Sequence, residues 1–452
     1  MYTNLNGPMN KTIAIVGGGI SGLALLHCLV EKYQLDAGVD IFLLEKNAQV
    51  GGTIRTLSQD GVLFETGPNG FIGSSPQTLK FLEDIGLRER IVPASQTAKR
   101  RYICRQNRLY ALPLRPKELL TFSLLKKRDK LAILAEVFKK GKPDPSESVY
   151  AFAKRHFNDN IAELLFDPFV SGVFAGDIRQ LNLQAAFPKL YEMEKEYGSI
   201  LKGYQQTRDK KAGLQSLQNG MGMVTEQMYK KYPSRIFLSE TVESMEYHQR
   251  DLFIHTNRRD MRVDRLFIAA PAYAAARMVD RIDQLLAESL QKISYAPLVV
   301  IGVVFNKEEW IRPVEGFGYL KPSTDHQEVL GVLFEDQIFS SRAPADKSVF
   351  RVMIGGAHHP DILQKSQQEL TALALNEIRT TLDLKTEPVH VFYQAWPHAI
   401  PQYNQNYVET IKKIQERRKQ HPALGLLGNY IGGISFNNCV ANAHRLAQEC
   451  TL

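Results

Sequence analysis

Short, densely apolar runs that end in glycine alternate along this chain with longer stretches of helical periodicity. The first run, Thr12–Val16, reads as a parallel strand covered on both faces, because it has no polar alternation. A helical run, Leu23–Val30, follows a glycine-rich turn, and a second apolar run, Val39–Leu44, ends on Glu45. Helical patterns dominate from Pro76 to about Tyr204, broken by the Gly141–Pro145 linker and opened by a hairpin-like piece, Arg100–Leu112. Strands are predicted at Arg235–Val242, at Asp251–His255 and in the run from Arg265 that stops at Pro271. An antiparallel sheet is predicted from Pro297 to about Gly355, then a helix at Gln364–Leu382 and a strand at His390–Gln394. The chain closes on a strand, Leu424–Leu427, a turn, Gly428–Gly433, and a helix, Asn438–Glu449, for which Asn437 or Asn438 is the expected N-cap.

This order predicts an α/β protein with a Rossmann-like dinucleotide domain in three segments, 1–75, 213–295 and 396–452. An antiparallel-sheet substrate domain is expected at 296–395 and an inserted helical domain at 76–212. A chain of 452 residues is too long for one core, so several units are expected. The longest apolar run, Ala296–Phe305, is far short of a membrane span, and the polar stretch before Lys11 lacks the core of a signal peptide. Cys28, Cys104, Cys439 and Cys450 are scattered without a CxxC, which argues against a zinc site or a disulfide framework and fits the cytoplasm.

Charge changes the picture at one place. Residues 115–142 hold nine basic side chains against three acidic ones, a net +6 of the chain's +8. Leu119, Leu120, Leu131, Leu134 and Phe138 are interleaved with them. Two readings stay open: a solvated amphipathic face, or a face on anionic lipid with Lys and Arg at headgroup level. No nucleic-acid motif accompanies the charge, so nucleic acid is not expected as a partner.

The chemistry starts at Gly17–Gly22, a G-x-G-x-x-G between strand and helix. Gly17 makes the tight turn, Gly19 lets backbone approach a diphosphate, and Gly22 lets helix pack on sheet. The helix N-terminus offers its free N–H groups to that diphosphate, and Glu45 is placed for ribose hydroxyls. Gly51, Gly52 and Arg55 resemble the second glycine doublet of the FAD-dependent amine oxidase superfamily. Gly67 and Gly70 would let backbone approach a flat ring, and the closing helix would point its positive end at a reduced flavin.

Over nearly its whole length the chain resembles the oxygen-dependent, FAD-containing protoporphyrinogen/coproporphyrinogen oxidases. The resemblance is carried by GGGISGLA, by FETGPNGF at Phe64–Phe71, and by GVFAGDIRQLNLQAAFP at Gly172–Pro188. It continues in RAP at Arg342–Pro344, AIPQY at Ala399–Tyr403 and LLGNYIGGISFNNCV at Leu426–Val440. It implies FAD as cofactor, held by Gly17, Gly18, Gly19, Ile20, Ser21, Gly22, Glu45, Gly52, Thr53, Gly67, Pro68, Asn69, Gly70 and Val242. Asn429, Ile434, Ser435 and Phe436 are the implied contacts at the flavin end. Asn438 and Phe436 depart from the family pattern, where aspartate and a smaller aliphatic residue are usual.

The implied reaction takes six electrons from a porphyrinogen and passes them to O2, forming hydrogen peroxide, with chemistry at the flavin and no catalytic side chain. Arg101 is the implied anchor for a propionate, Gly176 the implied backbone approach to the macrocycle, and Leu333 and Val349 the implied sandwich for a pyrrole ring. His156 and His398 are read as surface or packing residues. Further expected partners are a membrane surface, bound peripherally at the inner face of the cell membrane, a second copy, and a neighbouring haem-synthesis enzyme. Ile72-Gly73-Ser74-Ser75 lacks the basic residue expected for a four-propionate substrate, which favours protoporphyrinogen IX over coproporphyrinogen III. An amine oxidase on the same scaffold would need an aromatic pair at the flavin, where Ile431 and Gly432 stand. A non-catalytic flavoprotein is the third reading.

Overall fold

The computed structural model describes residues 10–33, 38–207, 213–249 and 251–452; the stretch before Asn10 and the boundary at 212 lie outside them. A five-stranded parallel sheet runs in the order Ile236–Leu238, Val39–Glu45, Lys11–Val16, Arg265–Ile268, Leu424–Leu426. Three distant stretches of chain therefore share one sheet, with Val16 registered between Leu44 and Ile268. The first helix runs Ile20–Tyr33, longer than its apolar periodicity, and its Leu23 and Leu26 share a core with Val440, Ala443 and Ala447 of the last helix.

The expected strand Arg235–Val242 is two strands. Ile236–Leu238 joins the parallel sheet, whereas Val242–His248 pairs with Asp251–Thr256 in a separate three-stranded antiparallel sheet. Ser239, at φ 53, breaks the run, and the N–H groups of Ser239 and Glu240 turn to the carbonyls of Asn47 and Glu45.

The larger sheet has seven strands, in the order His390–Pro401, Tyr295–Asn306, Lys347–Gly355, Val329–Phe334, Gly318–Leu320, Tyr102–Arg105, Arg108–Ala111. The hairpin Tyr102–Ala111 thus belongs to this sheet through parallel pairing of Tyr102 with Tyr319, not to the helical segment. The strand expected to stop at Gln394 runs on to Pro401, because Tyr295 and Ala296 continue to pair with it. Val299, Ile301, Val303 and Phe305 pack one sheet face against Leu370, Ala374 and Ile378 of the helix Gln367–Leu382. That helix starts three residues later than expected because Ser366 and Glu369 close a capping box. Val300 and Val304 face the other way, toward Phe64 and Phe392, and Gly302 makes room there: a Cβ would lie 2.5 Å from the Phe64 ring.

In the helical segment, the helix Lys127–Glu136 turns both of its acids inward. Asp129 accepts hydrogen bonds from Asn158, Asn160 and the Lys126 N–H. Glu136 accepts from His156 Nδ1 (2.9 Å), Ser199 Oγ and the N–H groups of Ile200 and Leu201, so it caps the helix Ile200–Thr207. His156 is a buried packing residue between two carboxylates, with Glu194 3.1 Å from its Nε2. Burial opposes the Glu136 charge, but these donors outweigh it and hold the carboxyl at about 2, below its ordinary 4.5. The stability Glu136 contributes is therefore present at neutral pH and is lost as pH falls through 4.5 toward 2. Glu136→Gln is expected to cost about 2–3 kcal/mol at pH 7 and to flatten the acid limb, read by urea unfolding across pH 7 to 3.

Candidate functional site

At the C-terminal end of Lys11–Val16 the glycines have distinct surroundings. Gly17 takes φ 110, a conformation L-residues avoid, and donates its N–H to the Leu44 carbonyl. A Cβ on Gly22 would lie 2.0 Å from the Gly17 carbonyl oxygen, whereas one on Gly19 would meet nothing within 4 Å. The turn is closed by packing on one side and open at Gly19, where the helix presents its first N–H groups. Ile20 opens that helix, and Ser21 is buried in it. The Glu45 carboxylate braces the turn, accepting from Gly18 N–H at 2.6 Å and from both nitrogens of Asn47. Gly51 ties in by its N–H to the Gly18 carbonyl, beside half-buried Gly52 and exposed Thr53. Arg55 Nε is buried there with no partner. Val242 is buried at the start of its strand, so a contact with a nucleotide would come from its backbone.

The second wall is Gly67–Gly70. A Cβ at Gly67 would stand 2.0 Å from the Thr53 carbonyl oxygen, and one at Gly70 would stand 2.2 Å from that of Gln215. Beneath this loop lies a set of charges that sequence reasoning did not assign. Arg342 is 0 % exposed and pairs with Glu65 at 3.0 Å; Arg351 stands 3.7 Å from Glu335. Burial raises the Glu65 pKa, against the pull of Arg342 and of the donors Met221 N–H and Thr56 Oγ1. The RAP motif was visible in sequence, but a lone arginine there carries no mark of burial. Both side-chain polar atoms of Asn69 are buried without partners, and Pro68 links the two anchored glycine segments.

The third wall is the closing turn and its helix, which begins at Phe436. The cap is Ser435, whose Oγ accepts from Asn438 N–H, and neither Asn437 nor Asn438 fills that role. Asn437 instead joins Ile72 and Thr78, drawn there by their polar groups. Phe436 packs on Phe71, ring centroids 5.6 Å apart, and Ile434 is half-buried. Two tyrosines stacked at 4.0 Å hold the turn from behind. Tyr403 donates to the Asn429 carbonyl (2.6 Å) and accepts from Gly433 N–H (3.1 Å), while Tyr407 donates to the Tyr430 carbonyl. The residues of AIPQY therefore act as a brace. Its tyrosine bridges both ends of the turn, and its Gln402 donates to the Phe174 carbonyl of GVFAGD.

The four implied substrate residues divide. Arg101 is exposed, its guanidinium 4.4 Å from the Phe317 ring centre, and Phe317 and half-buried Leu333 both pack against Ala98, Ile338 and Phe339. Arg100, and not Arg101, lines a cavity of about 440 Å3 with Arg108, Leu112 and Phe122. Gly176 is closed in: a Cβ would lie 2.6 Å from Gln402 Oε1, so packing against AIPQY already requires glycine there. Val349 is fully buried beside Phe64 and Phe392, with its N–H on Asp336, and it has no open face.

Residues 20–451 match the flavin containing amine oxidoreductase family. The chain belongs to that family. It is 30% identical to protoporphyrinogen oxidase 2, chloroplastic/mitochondrial, of Arabidopsis thaliana, over 97% of this chain and 93% of that one. It is 22% identical to the coproporphyrinogen III oxidase of Bacillus subtilis, over 95% and 96% of the two chains. A solved structure of a candidate protoporphyrinogen oxidase from Exiguobacterium sp. 255-15 superposes with a TM-score of 0.84 at 21% identity, covering 98% and 99%. The family's cofactor is FAD, and the residues fit it: open space at Gly19, an unpartnered Arg55 Nε, and unpartnered polar atoms on Asn69. Gly17–Gly22 would hold its diphosphate, and Gly67–Gly70 with the closing turn would hold its flat ring.

Tyr403→Phe keeps the stacked ring and removes both bonds to the closing turn. At roughly 1 kcal/mol for each bond lost, FAD affinity should fall about tenfold to thirtyfold. Titration of apoprotein with FAD, followed by flavin fluorescence, checks this; unchanged affinity would mean the turn holds its shape without the bridge.

Proposed function

We propose that this protein oxidises protoporphyrinogen IX to protoporphyrin IX, with three O2 consumed and three hydrogen peroxide formed for each macrocycle. The observation that carries the reading is the likeness to the Arabidopsis protoporphyrinogen oxidase along 97% of the chain. Bound FAD supplies two-electron oxidation with O2 as final acceptor. The protein's part is to orient and to keep water out. Exposed Arg101, steadied over Phe317, is suited to a propionate, because a guanidinium grips a carboxylate with two parallel bonds. Leu333, packed with Phe317 against the same small cluster, offers the apolar surface a tetrapyrrole needs.

Coproporphyrinogen III is the second reading, and the weaker likeness to the Bacillus enzyme speaks for it less strongly. An amine oxidase is disfavoured by the position of the aromatic pair: Tyr403 and Tyr407 stand behind the turn with their hydroxyls engaged by its backbone. A side-by-side rate comparison on the two porphyrinogens decides substrate, and protoporphyrinogen IX should be faster. Arg101→Ala should weaken apparent substrate affinity by about tenfold to a hundredfold with normal FAD content, whereas Arg100→Ala should leave it unchanged. Unimpaired kinetics in Arg101→Ala would move the anchor elsewhere.

We further propose that the helical segment rests on the inner face of the cell membrane. With Asp129 and Glu136 buried, the outward side of the helix Lys127–Glu136 carries only bases and apolar groups. Leu120 is 68 % exposed and Phe138 81 %, beside Lys126, Lys127, Arg128 and Lys130. Among the described residues no helix is long and apolar enough to cross a bilayer, so the proposal is peripheral attachment. All four cysteines are free, in keeping with a cytoplasmic setting. A second copy and a neighbouring haem-synthesis enzyme are proposed as partners on family likeness alone. Replacing Lys126, Lys127, Arg128 and Lys130 by Gln should remove about 4 kcal/mol of attraction and release the protein from anionic vesicles. Retention on the vesicles would return the charge run to a solvated face.

A further inference from the structure

The loop Thr66–Gly70 is tied at its entry by the Thr66 N–H and hydroxyl, which donate to the Arg55 carbonyl, and beyond that only by its carbonyls. Trp396 Nε1 donates to the Thr66 carbonyl at 2.8 Å. Arg351 Nη2 donates to that of Gly67 at 2.5 Å. Ser216 Oγ and Arg342 Nη2 donate to that of Asn69 at 2.9 and 3.3 Å. The amides are treated differently: among the described residues nothing accepts from the N–H of Gly67, Asn69 or Gly70. The peptide bonds are trans, so the C=O and N–H of one peptide unit point in opposite directions. Fixing the Thr66 carbonyl on the sheet side turns the Gly67 N–H away from the sheet. Fixing the Asn69 carbonyl on Ser216 and Arg342 turns the Gly70 N–H away from those two side chains.

We propose that Trp396 and Arg342 are positioning residues that aim the Gly67 and Gly70 amides at acceptor atoms of the bound isoalloxazine. The burial of the clamp explains its composition. A guanidinium with no access to water needs partners for its charge, and Arg342 finds them at its two terminal nitrogens in Glu65, Ser216, the Leu217 carbonyl and the loop, with Nε the one donor left unmet. Trp396 reaches the loop from the part of the strand His390–Pro401 that runs past Gln394. Two free N–H groups at an acceptor-rich edge bind the ring and favour its electron-rich, reduced form. The proposal rests on FAD as the cofactor and not on the identity of the porphyrinogen, so a negative substrate assay leaves it standing.

The test uses Trp396→Phe, which keeps an aromatic ring and loses the N–H, together with Arg342→Met and Arg342→Lys. Three quantities are read: the FAD dissociation constant, the midpoint potential of the bound flavin, and the unfolding temperature of the apoprotein. Trp396→Phe and Arg342→Met should each weaken FAD binding about tenfold and shift the potential to more negative values. Arg342→Lys, which restores one donor, should recover part of both. The apoprotein of Trp396→Phe should unfold at the parent temperature. A Trp396→Phe protein with parental FAD affinity and potential overturns the proposal, as does weakened binding with an unmoved potential. If Arg342→Met does not fold, Trp396→Phe alone decides.

Discussion

Two arginines shut away from water fix the middle of this molecule. Arg342 and Arg351 lie between the seven-stranded sheet and the loop that follows Phe64, and isolated charges there would cost several kcal/mol each. They are tolerated because Glu65, Glu335 and loop carbonyls meet them. The same contacts that make the charges bearable hold the loop in one shape. If the flat end of FAD lies against that loop as proposed, the seven-stranded sheet and the cofactor wall are one construction.

The other walls are tied in by similarly specific bonds. The closing turn hangs on Tyr403 and Tyr407, which follow the same long strand that delivers Trp396. Gln402, between them and the strand, reaches the Phe174 carbonyl in the helical segment. One stretch, Trp396–Tyr407, therefore touches the loop beneath the ring, the turn at its far end and the segment that carries GVFAGD. This chemistry needs a shaped, dry slot more than it needs an acid or a base, and such bracing is what the chain provides.

Much of the nucleotide side was legible in sequence because it is written in local terms. Glycine spacing after an apolar run, and an acid at the end of the next strand, dictate their geometry within a few residues of themselves. Gly19 is open and Gly22 closed, as the motif requires. What escaped was long-range. Ser239 breaks an apparently continuous strand through bonds to Asn47 and Glu45, almost two hundred residues away. The hairpin at Tyr102 joins a sheet whose other strands begin near Tyr295. Ser435 takes the helix cap because Asn437 is drawn to Ile72 and Thr78, partners that sequence distance hides. Gly176 and Val349 look like ligand contacts when aligned, yet burial gives both a packing reason. The buried Glu65–Arg342 pair is the plainest case: nothing local to RAP says that its arginine is shut off from water completely.

The central claim is that the site passes electrons from a porphyrinogen to flavin. Mixing oxidised, FAD-loaded protein with protoporphyrinogen IX in the absence of O2 tests it most directly. Flavin absorbance should bleach while porphyrin fluorescence rises, at one porphyrin for three flavins reduced, and admitted O2 should restore the flavin with an equivalent of hydrogen peroxide. Flavin that stays oxidised with protoporphyrinogen IX and with coproporphyrinogen III, yet bleaches with an amine, would contradict it.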